Sequence, residues 1–144
     1  KGHREVMATG VRAYVTVFLF RDRRVLLMHR SEDRSFAPGL WTGVGGRVEP
    51  EEMDNLQAAA FREVWEEAGV RGFTHPEPLG YFAYRKSGGV CLVTVFLMTE
   101  CELSESWPES GVRTRLLRSP KEARDMVDEP GLKDILDQVG SYAP

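Results

Sequence analysis

The chain has few of the features that mark membrane, disulfide-stabilised or nucleic-acid-binding proteins. Its 144 residues include only 2 cysteines, with no Cys-x-x-Cys pair, so neither a zinc site nor a disulfide framework is predicted. No apolar run approaches the roughly 18 residues of a membrane helix, and no signal segment opens the sequence. The net charge of −3 disfavours a dedicated nucleic-acid binder, whose domain would usually be basic. We therefore expect a cytoplasmic protein that engages neither nucleic acid nor membrane.

What the chain does have is the composition of one ordinary globular domain. Hydrophobic residues make up 42% of it and charged residues 28%, which is typical of soluble folds. We expect residues 1–9 to be an N-terminal tail or an expression remnant. Residues 10–144 are expected to form a single domain, because this length matches the usual size of one.

The hydrophobic pattern predicts strands and helices in alternation. Runs typical of strands are Val11–Phe20, Val25–Met28, Trp41–Val48, Leu79–Arg85, Val90–Thr99 and Arg113–Arg118. Helices are predicted at Asn55–Ala68, Pro120–Val127 and Leu132–Val139, and a polar loop at Glu102–Gly111. Asp54 and Gln57 have capping-box spacing at the start of the first helix, and Gly69 is a plausible stop. This order indicates an α+β fold with a mixed sheet flanked by helices.

Three glutamates of the first predicted helix share one face. At about 100° per residue, Glu63, Glu66 and Glu67 fall within an arc of about 100°, and the apolar residues lie nearly opposite. Like charges at these spacings repel by a few tenths of a kcal/mol per pair, and a purely structural helix would interleave lysines. A cluster of hard oxygen ligands on one rigid face suits Mg²⁺ or Mn²⁺. A solvated acidic face is the alternative interpretation of the helix alone.

The residues around these glutamates resemble the Nudix box. Gly46–Glu52 supplies a glycine followed six positions later by a glutamate. Arg62–Val70 reads Arg-Glu-Val-Trp-Glu-Glu-Ala-Gly-Val, which matches the second half of the family pattern at every specified position. The resemblance covers roughly residues 10–140. It implies a Nudix-type α/β/α sandwich and a MutT-like hydrolase.

The box departs from the family pattern in its loop. Nine residues separate Glu52 from Arg62, where the family usually has seven. Counting back from Arg62 puts Asp54 in the place of the family's first glutamate, so Glu52 and Asp54 both stay open for that role. We predict that the two additional residues precede the helix, with Asp54 accepting hydrogen bonds from its first N–H groups.

The resemblance implies a metal-dependent hydrolase. By similarity, Glu66, Glu67 and the Gly46 carbonyl would bind Mg²⁺, with Mn²⁺ as a substitute. Glu63 would be either a further ligand or the base that activates water. Glu100, after a later strand, is a further candidate ligand, for which an exposed strand-end charge is the alternative. Phosphoanhydride cleavage needs both charge neutralisation and an activated water.

Further residues are assigned to catalysis and substrate binding. By similarity, Arg62 would complete the catalytic set by holding the glutamates through ion pairs. Substrate contacts are predicted at Arg47, at Tyr84, which could stack on a base, and at Arg85, which could meet phosphate. The alternatives are a core position for Tyr84 and an exposed turn for Arg85.

The resemblance leaves three functions open. The first is a pyrophosphatase that converts an oxidised or non-standard nucleoside triphosphate into monophosphate and pyrophosphate. The second is hydrolysis of dinucleoside polyphosphates or diphosphoinositol polyphosphates, which the net charge of −3 does not favour because these substrates are strongly anionic. The third is a nucleotide-sensing regulator without catalysis, although such proteins often lose box glutamates. The predicted partner is a small phosphoanhydride substrate, and a homodimer stays open.

Overall fold

The structure is a computed structural model that describes residues 11–29, 41–86, 88–111 and 114–139. The strands are β1 Val11–Arg21, β2 Arg24–His29, β3 Trp41–Thr42, β4 Val44–Arg47, β5 Val70–Gly72, β6 Gly80–Lys86, β7 Gly89–Met98, β8 Cys101–Leu103 and β9 Thr114–Arg118. The helices are α1 Leu56–Ala68, α2 Pro120–Met126 and α3 Pro130–Val139, with a 3₁₀ turn at Pro50–Glu52.

Seven of these strands form one mixed sheet. Its order is β3-β2-β1-β7-β6, with β4 also paired to β1 and β9 to β2. The parallel pair β1 and β7 runs in register from Val11 opposite Val90 to Leu19 opposite Met98. The other strand pairs of this sheet, within the described residues, are antiparallel. The chain between these two parallel strands contains α1, as a crossover connection requires. The strands β5 and β8 form a separate two-stranded sheet.

Helices cover both faces of the large sheet, and each face has its own apolar core. Successive strand residues point to opposite faces, so Val17 of β1 packs with Val64 of α1. Phe18, the next residue, packs with Leu136 of α3 on the other face. All four side chains are at most 1% exposed. The predicted α+β sandwich, a mixed sheet between helical layers, is confirmed.

Several predicted boundaries are corrected. A single strand over Trp41–Val48 is wrong, because the chain changes partners at Gly43, from β2 in β3 to β1 in β4. A loop over all of Glu102–Gly111 is wrong at its start, since β8 pairs there with β5. The last helix begins at Pro130, two residues earlier than predicted, because proline suits the first helical position. Arg113, predicted to open a strand, lies outside the described residues.

The N-terminus of α1 is capped by Asn55, so the prediction that Asp54 caps it is wrong. The Asn55 side-chain oxygen accepts a hydrogen bond from the Ala58 N–H at 3.3 Å. A capping oxygen must lie two or three residues before the N–H that it satisfies, and Asp54 lies one residue too early, in the exposed turn before the helix. The helix is continuous to Ala68, so its glutamates keep the predicted helical register.

We expect Asn55→Ala to lower the free energy of unfolding by about 0.5–2 kcal/mol, because it removes this cap. Asp54→Ala is the matched control. It should change stability by less than about 0.5 kcal/mol, as most exposed substitutions do. Urea unfolding followed by circular dichroism measures both values. A larger loss for Asp54→Ala than for Asn55→Ala would contradict the assignment of the cap.

No helix among the described residues is long and apolar enough to cross a membrane.

The two cysteine thiols, of Cys91 and Cys101, differ in environment. Cys91 is buried in β7, whereas Cys101 is half-buried in β8, and both are free. Burial raises the pKa of the Cys101 thiol above its usual value, so this thiol is less reactive than an exposed one.

Candidate active site

The glycines of β4 bring the backbone against the acidic face of α1. Gly45 and Gly46 lie opposite Thr16 and Val15 of β1. A Cβ on Gly46 would lie 2.4 Å from Oε2 of Glu63, so any other residue at this position would displace the Glu63 carboxylate. With glycine there, the Glu63 carboxylate lies against the β4 backbone, and two of the sequence-predicted site residues are in contact.

Glu67 is the buried acid of the site. Its exposed fraction is 3%, and its Oε1 accepts a hydrogen bond from the Gly45 N–H at 3.4 Å. Carboxylates are seldom buried unless hydrogen bonds or a cation compensate for lost hydration. The Gly45 N–H offsets part of this cost, and a bound cation would offset more of it.

Glu63 has the clearest electrostatic perturbation in the site. Burial is the main cause, and the neighbouring Glu67 carboxylate adds to it, so that the pKa of Glu63 rises to about 7. The Arg62 guanidinium opposes this rise. A positive charge placed between the two carboxylates would remove their repulsion and favour the ionised form.

Arg62 donates hydrogen bonds to three glutamates of the box. Its Nε and Nη2 donate to the two carboxylate oxygens of Glu52, each at 2.8 Å. Its Nη1 donates to Glu63 at 3.0 Å and to Glu66 at 3.3 Å. Nη2 also donates to the Arg47 carbonyl at 3.2 Å. One guanidinium therefore joins α1 to β4 and to the turn that precedes the helix.

Of the two alternatives for the family's first glutamate, Glu52 contacts Arg62. The contact is bidentate, the strong form of a charge-assisted hydrogen bond, and it lowers the pKa of Glu52. Glu52 is further fixed by the Glu49 N–H, which donates to it at 2.9 Å. Asp54 lies in the exposed turn beyond it. Counting forward from Gly46 therefore identified the residue that contacts Arg62, Glu52, whereas counting back from Arg62 gave Asp54.

The remaining predicted ligands are more exposed. The Glu66 side chain is 43% exposed and pairs with Arg62, and Glu100 lies in the exposed turn between β7 and β8. Within the described ranges, no three acidic, histidine or cysteine side chains converge into a group that could hold a metal ion. The structure therefore places Glu63 and Glu67 beside the glycines of β4. Glu63 and Glu66 both accept hydrogen bonds from Arg62. Among the described residues, Glu100 does not join a cluster of possible metal ligands.

The predicted substrate residues lie on two faces of the sheet. Arg47 is exposed and lies opposite Tyr14 of β1. Tyr14 and Tyr84 both pack against the core beneath α2 and α3, so Arg47 and Tyr84 share the face away from α1. Arg85 follows Tyr84 in β6 and points to the other face. The structure therefore brings neither Arg47 nor Tyr84 to the face that carries the α1 glutamates, and it packs Tyr84 against the core.

Sequence reasoning missed the residues that hold the C-terminal end of α1. The indole Nε1 of Trp107 donates to the Glu67 carbonyl at 2.7 Å, across 40 positions in sequence. Arg115 donates to the Ala68 carbonyl across 47 positions. No local pattern marks such distant partners. An apolar tryptophan within the polar segment after β8 was the one available signal.

The whole-chain comparison identifies the family. A family model described as the NUDIX domain matches residues 10–130. The chain belongs to the Nudix family, and its predicted membership of this hydrolase family is confirmed. The match includes the whole box.

Curated relatives and solved structures agree with this assignment. The Arabidopsis thaliana protein named Nudix hydrolase 13, mitochondrial, is 28% identical over 132 residues, which are 83% of this chain and 61% of that protein. Mouse diphosphoinositol polyphosphate phosphohydrolase 3-alpha is 37% identical over 99 residues, 63% of this chain and 58% of that protein. The chain thus spans about 60% of the length of these relatives. The solution structure of the E. coli ORF135 protein has a TM-score of 0.73 at 24% identity, covering 91% of this chain and 89% of that one.

Proposed function

We propose that this domain hydrolyses a diphosphate linkage in a nucleoside diphosphate joined to another group, with Mg²⁺ as cofactor and Mn²⁺ as a substitute. The observation that carries this proposal is the contact between the Gly46 backbone and the Glu63 carboxylate, with buried Glu67 beside Gly45. Family membership supports the reaction class, because Nudix hydrolases act on acid anhydrides.

The donor set fits a hard divalent cation. Glu63, Glu66, Glu67 and the Gly46 carbonyl offer only oxygen, which Mg²⁺ and Mn²⁺ prefer. Burial and the repulsion from Glu67 raise the pKa of Glu63, and a bound cation would oppose both effects. Arg62 Nη1 contacts Oε2 of Glu63 and Oε1 of Glu66, so each carboxylate could offer its second oxygen to a cation while Arg62 orients it.

The residues of this chain have distinct parts in the proposed reaction. Mg²⁺, when bound, offsets the negative charge of the phosphates. Arg62 orients Glu63 and Glu66, while its bidentate contact with Glu52 anchors it from the other side. One carboxylate of the helix accepts a proton from the attacking water, a contribution of general-base type. The Gly46 backbone leaves room for this cluster where a Cβ would fill it.

Two substrate classes compete within this proposal. Our first candidate is an oxidised or non-standard nucleoside triphosphate, because the box residues and the short matched domain suit this class. Arg47 and Tyr84 lie on the face of the sheet away from the α1 glutamates, so they do not add support for it. The mouse phosphohydrolases 3-alpha and 3-beta, each 37% identical over 99 residues, favour a diphosphoinositol polyphosphate as the second candidate. The net charge of −3 does not help such an anionic substrate. Retention of all three box glutamates disfavours a sensor without catalysis.

A substrate panel with Mg²⁺ distinguishes these functions. The panel contains an oxidised purine triphosphate, ADP-ribose, a dinucleoside polyphosphate and a diphosphoinositol polyphosphate, with products separated by ion-exchange chromatography. Release of monophosphate and pyrophosphate from the triphosphate is expected for the first candidate, and release of inorganic phosphate from the diphosphoinositol for the second. Tight binding of a nucleotide without turnover of any compound would contradict the proposed hydrolase.

Gly46→Ala is expected to weaken Mn²⁺ binding by about 10-fold or more, as disruption around a metal site commonly does. The added Cβ would lie 2.4 Å from Glu63 Oε2, so the carboxylate must move. Gly111→Ala is the matched control, because no atom lies within 4 Å of a Cβ at that position. Electron paramagnetic resonance of free Mn²⁺ gives both dissociation constants. Equal affinity in the two variants would contradict a site at Gly46.

A further inference from the structure

The last turn of α1 is an unfavourable place for two acidic side chains. Glu66 and Glu67 lie there, and that turn contains no basic residue. The final carbonyls of a helix have no partners within it, and its C-terminus carries a partial negative charge that disfavours carboxylates. Arg62 of the same helix pairs with Glu66, but the last carbonyls need partners from outside the helix.

Two side chains from a distant part of the chain supply those contacts. Trp107 donates its indole N–H to the Glu67 carbonyl at 2.7 Å. Arg115 donates through Nη1 to the Ala68 carbonyl and through Nη2 to the Ser104 carbonyl. The Arg115 guanidinium lies 4.2 Å above the centroid of the Trp107 ring, which is cation–π geometry. The two side chains thus form a single unit, the Trp107/Arg115 pair.

The surrounding backbone completes the anchor. Gly69 ends the helix with φ of 68°, and a Cβ there would lie 2.7 Å from Cε3 of Trp107, so the indole packs directly against the helix end. The Ser104 N–H donates to the Gly69 carbonyl at 2.8 Å, and the Glu109 N–H donates to the Glu66 carbonyl at 3.2 Å. The carbonyls of residues 66–69 all have partners from residues 104–115.

We propose that Trp107 and Arg115 are positioning residues, which fix the last turn of α1 and thereby hold Glu66 and Glu67 where a divalent cation binds. This inference rests on the proposed function. The Trp107 hydrogen bond is made to the backbone of Glu67 itself, whose side chain is 3% exposed. Arg115 brings a positive charge to the negative end of the helix. Neither residue needs to touch substrate or cation to act in this way.

Two conservative variants and one control test this inference through Mn²⁺ binding. Trp107→Phe keeps an aromatic ring and removes the N–H donor. Arg115→Lys keeps the charge and removes the planar fork that bonds two carbonyls. Trp65→Phe, the control, alters a tryptophan of α1 itself, whose ring contacts Arg71 at 3.9 Å. Mn²⁺ dissociation constants are measured by electron paramagnetic resonance well below the Tm of each variant.

Trp107→Phe and Arg115→Lys should each weaken Mn²⁺ binding by about 10–100-fold, the usual effect of losing an outer partner of a metal site. Trp65→Phe should leave the Mn²⁺ dissociation constant within about twofold of the wild-type value, even if its Tm falls as much as the Tm of the two test variants. Unchanged affinity in both Trp107→Phe and Arg115→Lys would overturn the inference. Glu67→Gln, measured alongside, separates the two failures. If Glu67→Gln also binds Mn²⁺ with wild-type affinity, the proposed metal site is wrong. If Glu67→Gln loses Mn²⁺ binding, the metal site is supported and only the positioning by Trp107 and Arg115 is wrong.

Discussion

Glu67→Gln is expected to lower kcat by about 10²–10⁴-fold, the range for loss of a catalytic or electrostatic group. Glu67 is 3% exposed and lies against the Gly45 N–H, so a neutral amide there cannot be compensated by solvent or by a mobile neighbour. The same change removes the charge that repels Glu63. The Tm of the metal-free variant should therefore equal or exceed that of the wild type.

Steady-state turnover with saturating Mg²⁺, together with a thermal melt without metal, checks both parts of this result. Glu51→Gln is the matched control, because Glu51 is an exposed acid in the nearby 3₁₀ turn. It should retain kcat within about twofold. If Glu67→Gln and Glu51→Gln had the same rate, the acidic face of α1 would be a solvated surface and nothing more.

Arg62→Met is expected to lower the free energy of unfolding by about 2–4 kcal/mol. The substitution removes the bidentate contact with Glu52 and leaves the Glu52 and Glu63 side chains, each 12% exposed, without this partner. Loss of one member of a fully buried pair costs about 3–5 kcal/mol. The expected value is lower because the Arg62 side chain is 27% exposed. Urea unfolding at neutral pH measures it.

The chain offers an internal control in Arg124, which pairs with Asp137 at 2.9 Å on the surface. Arg124→Met should cost less than about 1 kcal/mol, as exposed ion pairs do. The loss of unfolding free energy caused by Arg62→Met should also depend on pH. Because the pKa of Glu52 is below its usual 4.5, its stabilisation is present above that value and is lost as the pH falls through the lowered pKa. Equal losses for Arg62→Met and Arg124→Met at neutral pH would contradict the central position given to Arg62.

The parts of the fold that sequence predicted are those with long, regular patterns. The α1 helix buries one face, which gives a helical period, and the β1 and β7 strands are buried on both faces, which gives long apolar runs. The three-residue strands β5 and β8 were missed because so short a segment has no measurable period. The cap was misplaced by one residue, since Asp54 and Asn55 are both good capping residues and only the backbone decides between them.

In the candidate site, too, the sequence predicted some residues and missed others. The motif placed Gly46 and Glu63 in one site, because the residue types and spacing of the box are specific. It could not show that Arg47 and Tyr84 lie on the face away from α1, because that depends on how the strands pair. It also gave no sign of Trp107, whose contact with α1 depends on how a segment 40 positions downstream packs. Local pattern therefore predicts the ligands, and tertiary packing determines what positions them.

Phosphorus NMR of a nucleoside triphosphate incubated with the purified protein tests the central claim most directly. One sample contains Mg²⁺, and its pair contains excess EDTA. The account predicts that the triphosphate signals give way to monophosphate and pyrophosphate signals in the Mg²⁺ sample, and that they persist under EDTA, because the site offers only oxygen ligands for a divalent cation. Cleavage at the same rate in both samples would contradict a metal-dependent hydrolase at the acidic face of α1.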